Sequence, residues 1–210
     1  MARRALVFNF LPSRYAHPSH CEPLLPPPLR KRLERTSRGE AELSRLILSA
    51  HGMLGKWQSD FLQGNCRLAL AYSDLRRLAH YAGAFFHAEA IWPLVEKKRI
   101  AEIKARIGPD AYEFAVRRAT LFRKWRPFDP PPFGGDLAEA IEKTGRLVLE
   151  ACFARTGLAI EGRLRLLWPA DDPCPWSAAA PGPAEAEAAG LFLKHLFCRE
   201  FAPEWRSFLF

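Results

Sequence analysis

The sequence predicts a mainly α-helical chain: one compact domain of about six to eight helices, a proline-rich N-terminal arm, and at most one or two short strands. Three observations predict it. Apolar residues return at three- and four-residue spacing through most of the chain after residue 37. Helix punctuation recurs, with Ser, Asp or Pro opening the periodic stretches and Gly or Pro closing them. Finally, 210 residues at 49% hydrophobic suffice for one core but not for two ordinary domains and a linker.

The elements follow in order. Residues 1–35 carry Pro12, Pro18, Pro23, Pro26, Pro27 and Pro28, and each proline removes an amide donor and fixes a dihedral. The arm is therefore predicted to be irregular. Phe8, Phe10, Leu11, Tyr15, Leu24 and Leu25 give it enough apolar surface to wrap along the body. Ser37 with Glu40 matches a capping box opening a helix that buries Leu43, Leu46, Ile47 and Ala50 and stops at Gly52 and Gly55. A short strand is predicted near 66–72. Ser73 or Asp74 then caps a helix to Trp92 whose stripe is Leu75, Leu78, Ala82, Phe85 and Phe86. Pro93 opens a helix over Leu94 to Ile107, and Gly108 with Pro109 ends it.

Asp110 caps the next helix, whose inner face is read as Ala111, Phe114, Ala115, Arg118, Leu121, Phe122 and Trp125. A proline-rich connector is predicted over 127–135, a helix over Asp136 to Ala154, and a second possible strand near 158–168, where Arg163 and Arg165 alternate with Leu164 and Leu166. A second proline-rich connector covers 169–182. Pro183 opens the last helix, rich in Leu191, Phe192, Leu193, Leu196 and Phe197, before the aromatic end Trp205, Phe208 and Phe210.

Composition narrows the classes of function. Lys and Arg number 31 against 23 Asp and Glu, a net charge of +8 that suits nucleic acid, an anionic membrane or an acidic protein. Cys21, Cys66, Cys152, Cys174 and Cys198 are odd in number with no CxxC pair, which argues against a disulfide or zinc framework. Arg3 and Arg4 before Ala5 to Leu11 look like a signal peptide, but Asn9 interrupts the run and Pro12 follows it. No run reaches the roughly 18 apolar residues of a spanning helix. A reducing cytoplasm is the expected compartment.

Catalytic patterns are sparse. His87 and Glu89 form an HxE, but the PCxxC that zinc deaminases also need stops at Pro173 and Cys174. Lys143 and Thr144 resemble the end of a phosphate-binding loop but lack its upstream glycine and lie within a helix. His17, His20 and Cys21 lack a fourth ligand. No catalytic residue, cofactor or metal is expected.

Glu89 projects onto the apolar stripe of its predicted helix and Arg118 onto that of another. A lone buried carboxylate is costly, so the two are expected to form a structural buried pair, with a catalytic carboxylate as the other reading. Arg117, Arg123, Lys124 and Arg126 cluster around Trp125, while Arg30, Lys31, Arg32, Arg35 and Arg38 form a second basic group; each is either a solvated face or a docking surface. Trp205, Phe208 and Phe210 either pack back on the core or meet a partner.

Three stretches carry a likeness to a known family: the arm from Phe10 through Leu11, Pro12, Ser13, Arg14, Tyr15 and Ala16 to His17; the run His87, Ala88, Glu89, Ala90, Ile91; and the ending that leads from Arg163, Leu164, Arg165 and Leu166 into the last helix. In these the chain resembles the SctK family, of YscK and PscK type, an accessory protein of the type III secretion sorting platform. The resemblance implies a non-enzymatic cytoplasmic adaptor at the base of the injectisome, peripheral to the inner membrane and not inserted in it, needed for assembly, protein secretion and virulence. It implies an SctQ-type pod protein and the cytoplasmic domain of the SctD-type ring protein as partners, with SctL and the SctN ATPase further along, and no nucleic acid. Two other classes stay open on the residues: a basic nucleic-acid-binding helical protein and a small helical hydrolase.

Overall fold

The computed structural model describes residues 1–129, 136–172 and 181–210. Its helices, in chain order, are α1 (Ala2–Phe10), α2 (Pro27–Leu33), α3 (Ser37–Ala50), α4 (Leu75–Phe86), α5 (Ala88–Ile91), α6 (Lys97–Ile107), α7 (Pro109–Arg117), α8 (Leu137–Phe153), α9 (Leu158–Arg165), α10 (Pro183–Glu200) and α11 (Arg206–Leu209). Five 3-10 segments lie among them, and no strand is present among the described residues. The mainly α class holds, with more and shorter helices than the sequence predicts.

Both expected strands are corrected. Cys66–Ala71 is a 3-10 segment in which Cys66, Leu68, Ala69, Leu70 and Ala71 are all buried, and a continuously buried run has no period to distinguish helix from strand. Leu158–Arg165 is a helix that turns Ile160, Arg163 and Leu164 inward at three- and four-residue spacing. The N-terminal arm is likewise more regular than its prolines suggest. Pro12, Pro18 and Pro27 each open a short helical segment, where the missing amide leaves nothing unpaired. Of the two proline-rich connectors, residues 130–135 and 173–180 lie outside the described residues.

Two compact units emerge: Met1–Ser73 with Thr156–Cys174, and Asp74–Arg155 with Pro175–Phe210. In the first, Phe8 is fully buried, stacked on Tyr15 at 5.8 Å and edge-on to Phe61 at 5.7 Å. Polar clips bind the arm to the rest of this unit. Ser44 Oγ on α3 donates to Ser13 Oγ at 2.8 Å, Arg14 pairs with Glu40 at 2.6 Å, and the His17 amide donates to the Leu166 carbonyl at 2.6 Å. Helix α3 is capped by Thr36, one residue earlier than predicted, whose hydroxyl accepts from the Gly39 amide at 3.0 Å.

In the second unit α4 lies against α8 at very close approach. A Cβ on Gly83 would run into the Ile141 carbonyl, and one on Gly145 into that of Ala79, so the two backbones meet where neither helix carries a side chain. Helix α10 covers this pair, placing Phe192 4.9 Å from Phe85, and α7 brings Phe114 to 5.1 Å from Tyr81.

Candidate functional site

Two stretches expected as continuous helices are broken in the second unit, and the breaks decide where the charged candidates go. At His87 the backbone leaves helical geometry (φ −102°, ψ 12°), and its ring meets Thr144 Oγ1 at 2.9 Å, Nε2 to oxygen. Burial holds the His87 pKa below 6.5, against a hydrogen bond to the Ala140 backbone that raises it. The break resets the register, so Glu89 in α5 falls off the stripe of α4. At Arg118 (φ −130°, ψ −11°) α7 gives way to the 3-10 segment Ala119–Trp125.

The expected Glu89 to Arg118 pair does not form. Glu89, its side chain 75% exposed, pairs with Arg123 at 2.9 Å; Arg118 instead reaches Glu200 on α10 at 3.0 Å. Both residues looked like intruders on an apolar face because the projection ran one helix through a break. The carboxylate that is buried is Glu200, with its side chain 6% exposed. Burial raises its pKa, opposed by Arg118 and then Arg199.

Around Glu89 lies a niche lined by Phe86, Trp92, Arg123 and Arg126, with a volume of about 20 Å³. That holds a water molecule, whereas a ligand site needs roughly 300 Å³ or more. Lys143 pairs with Glu139 at 2.6 Å and Thr144 meets His87, so neither side of the phosphate-loop likeness is available to a phosphate. In the first unit His20 sits between the Trp168 carbonyl at 2.8 Å and His51 at 3.1 Å, and the His17 ring caps its own turn by accepting from the Ser19 amide. Among the described residues no three His, Cys, Asp or Glu side chains are grouped to hold a metal.

The basic candidates separate into two kinds. Arg117 pairs with Glu113 at 3.0 Å, Arg123 with Glu89 and Arg126 with Asp129 at 2.7 Å. Lys124 has no carboxylate within 4.0 Å among the described residues, and its amine stands 4.2 Å from the Trp125 ring. Of the C-terminal aromatics, Trp205 is buried edge-on to Phe197 at 5.4 Å, Phe208 is half-buried beside it, and Phe210 is 52% exposed, 4.7 Å from the His195 ring. Trp125 stacks on His195 at 4.3 Å and 28°. Arg199, one turn on along α10, lies 5.3 Å from the Trp125 ring. Sequence reasoning missed His195, Arg199 and Arg206; the signal was the i, i+4 pairing of His195 and Arg199 on the last helix.

A region of helical pieces with exposed cations and a water-sized niche narrows the field without naming anything. The family comparison does name it: the model of YscK, described as YOP proteins translocation protein K, matches residues 4–188. The chain belongs to the YscK family. YscK proteins are accessory proteins of type III secretion and not a family of enzymes. The matched span runs from α1 into α10 and includes all three stretches that carried the resemblance except the end of the last helix.

This YscK-family chain is also 30% identical over 120 residues to nodulation protein NolU of Sinorhizobium fredii (strain NBRC 101917 / NGR234), a match covering 56% of this chain and 51% of that protein. It is 30% identical over 108 residues to NolU of Rhizobium fredii, covering 48% and 47%. The matches thus span about half the length of these relatives. No solved structure matches.

Proposed function

We propose that this chain is a non-enzymatic adaptor of the type III secretion sorting platform, joining an SctQ-type pod protein to the cytoplasmic domain of an SctD-type inner-membrane ring protein, and that assembly and secretion depend on it. The observation that carries the reading is the YscK match across residues 4–188. Two others support it. Polar clips fix the arm of the first unit and glycine contacts lock α4 on α8 in the second, the internal rigidity a connector needs. The second unit also offers exposed cations and an exposed aromatic ring as contact surface. No described helix is long and apolar enough to cross a membrane, which agrees with a peripheral position in the cytoplasm, held by proteins.

Deleting the gene and measuring export of type III substrates tests this. Export is expected to stop, and to return when the chain is supplied in trans. Normal export in the deletion strain overturns the reading.

A further inference from the structure

We propose that Lys124, Arg199 and Arg206, with the contacting rings of Trp125, His195 and Phe210, form a docking patch for an acidic segment of a partner protein. The proposal rests on the adaptor reading for its biological role, while the patch itself is defined within the second unit.

The rings form a continuous ladder. Trp125 stacks on His195 with centroids 4.3 Å apart, and His195 meets Phe210 at 4.7 Å. Trp125 is held from behind by the buried Phe122 at 5.8 Å, which fixes the ladder to the core. Cations converge on it. Lys124 Nζ lies 4.2 Å and the Arg199 guanidinium 5.3 Å from the Trp125 centroid, and the His195 pKa is lowered by burial and then by Arg199, Arg206 and Lys124 in turn.

Several arginines of this unit are already paired with the chain's own carboxylates. Arg77, Arg106, Arg117, Arg118, Arg123 and Arg126 each have a carboxylate within 4.0 Å in this unit. Lys124, Arg199 and Arg206 are exposed and have none among the described residues. Glu200 beside Arg199 is taken by Arg118. Three exposed cations, two of them held over the Trp125 ring, with no carboxylate within 4.0 Å among the described residues, complement a carboxylate-rich surface. The exposed edge of Phe210 adds an apolar contact beside them.

A protein segment suits the patch better than nucleic acid. Base recognition on aromatic residues needs a free ring face. Here the Trp125 ring is already engaged by the stacked His195 ring and by the Lys124 and Arg199 cations. Residues 195, 199, 206 and 210 lie beyond the span matched by the family, and Lys124 and Trp125 lie within it.

The test titrates the full chain with a fluorescently labelled acidic peptide, Asp and Glu with one Phe, and with labelled duplex and single-stranded DNA. The peptide is expected to bind, and the triple variant Lys124→Gln, Arg199→Gln, Arg206→Gln to weaken it about tenfold. The equal-charge control Lys97→Gln, Lys98→Gln, Arg99→Gln on α6 is expected to weaken it less than about twofold. Should the triple variant unfold, Lys124→Gln alone is expected to weaken binding about threefold. Equal losses in the triple and the control, no peptide binding by the wild-type chain, or tighter binding of DNA through the same three cations each overturn the proposal. Export separates it from the reading beneath. A triple variant that restores export to the deletion strain overturns the patch and leaves the adaptor standing, whereas a deletion strain that exports normally overturns the adaptor whatever the peptide does.

Discussion

Arg163 is 1% exposed, and its four hydrogen bonds all end on backbone oxygens: two on Asn9, one on Lys56 and one on Ala159. Asn9 stands at the C-terminal end of α1, where carbonyls lack intrahelical donors and the helix dipole is negative, so a guanidinium serves there without a carboxylate. Arg163 therefore fastens α1, the segment at Lys56 and α9 within the first unit. Arg163→Met keeps the volume and removes every donor, leaving those carbonyls buried and unpaired. It is expected to cost about 3 kcal/mol in urea unfolding; a loss below about 0.5 kcal/mol, the range of an ordinary surface change, would remove the fastening role. The sequence made this residue visible but misassigned it, because a core position filled by arginine turns the helical series Ile160, Arg163, Leu164 into an apparent alternation.

At the scale of elements, the same difficulty explains Glu89 and Arg118. Continuous helices over 74–92 and 110–125 fit the apolar spacing, yet the chain breaks at His87 and Arg118, and the bonds that favour the breaks, His87 to Thr144 and Arg118 to Glu200, join residues 57 and 82 positions apart. No local pattern contains them. The buried character of α4 was legible in its stripe of Leu75, Leu78, Ala82 and Phe85, all buried. What it packs against was not, since Gly83 and Gly145 read as weak helix residues until the two backbones are seen to meet there. Gly145→Ala gains about 1 kcal/mol of helix propensity and forces the new methyl into the Ala79 carbonyl, an overpacking expected to cost about 2 kcal/mol or more. Net destabilisation by thermal unfolding is the expected result, and a raised melting temperature would refute the close contact.

At the scale of the molecule, acid should weaken the fold. Burial lowers the pKa of His80 and His87 below 6.5, and His51 and His195 are lowered by burial together with neighbouring positive or titrating groups. The native chain keeps these rings neutral while the unfolded chain takes up protons near 6.5, so their contribution is full above that pH and declines as pH falls through 6.5 toward the folded values. The melting temperature is expected to fall steadily from pH 7.5 to pH 5; an increase over that interval would contradict the burial of these histidines. The +8 charge was legible from composition, but which cations remain free was not, because the pairing of Arg123 with Glu89 and of Arg118 with Glu200 depends on where the helices break. Candidate partner residues Arg117, Arg123 and Arg126 are engaged within the chain, leaving Lys124 and the aromatic end as the part of that expectation carried forward.

The central claim is that this chain connects two proteins. Co-purification of the full chain with an SctQ-type pod protein and the cytoplasmic domain of an SctD-type ring protein tests it most directly. A three-component complex that falls apart into separate pod and ring proteins when the chain is omitted is the expected result. Binding of neither protein by the chain, or pod and ring proteins that associate equally well without it, would contradict the account.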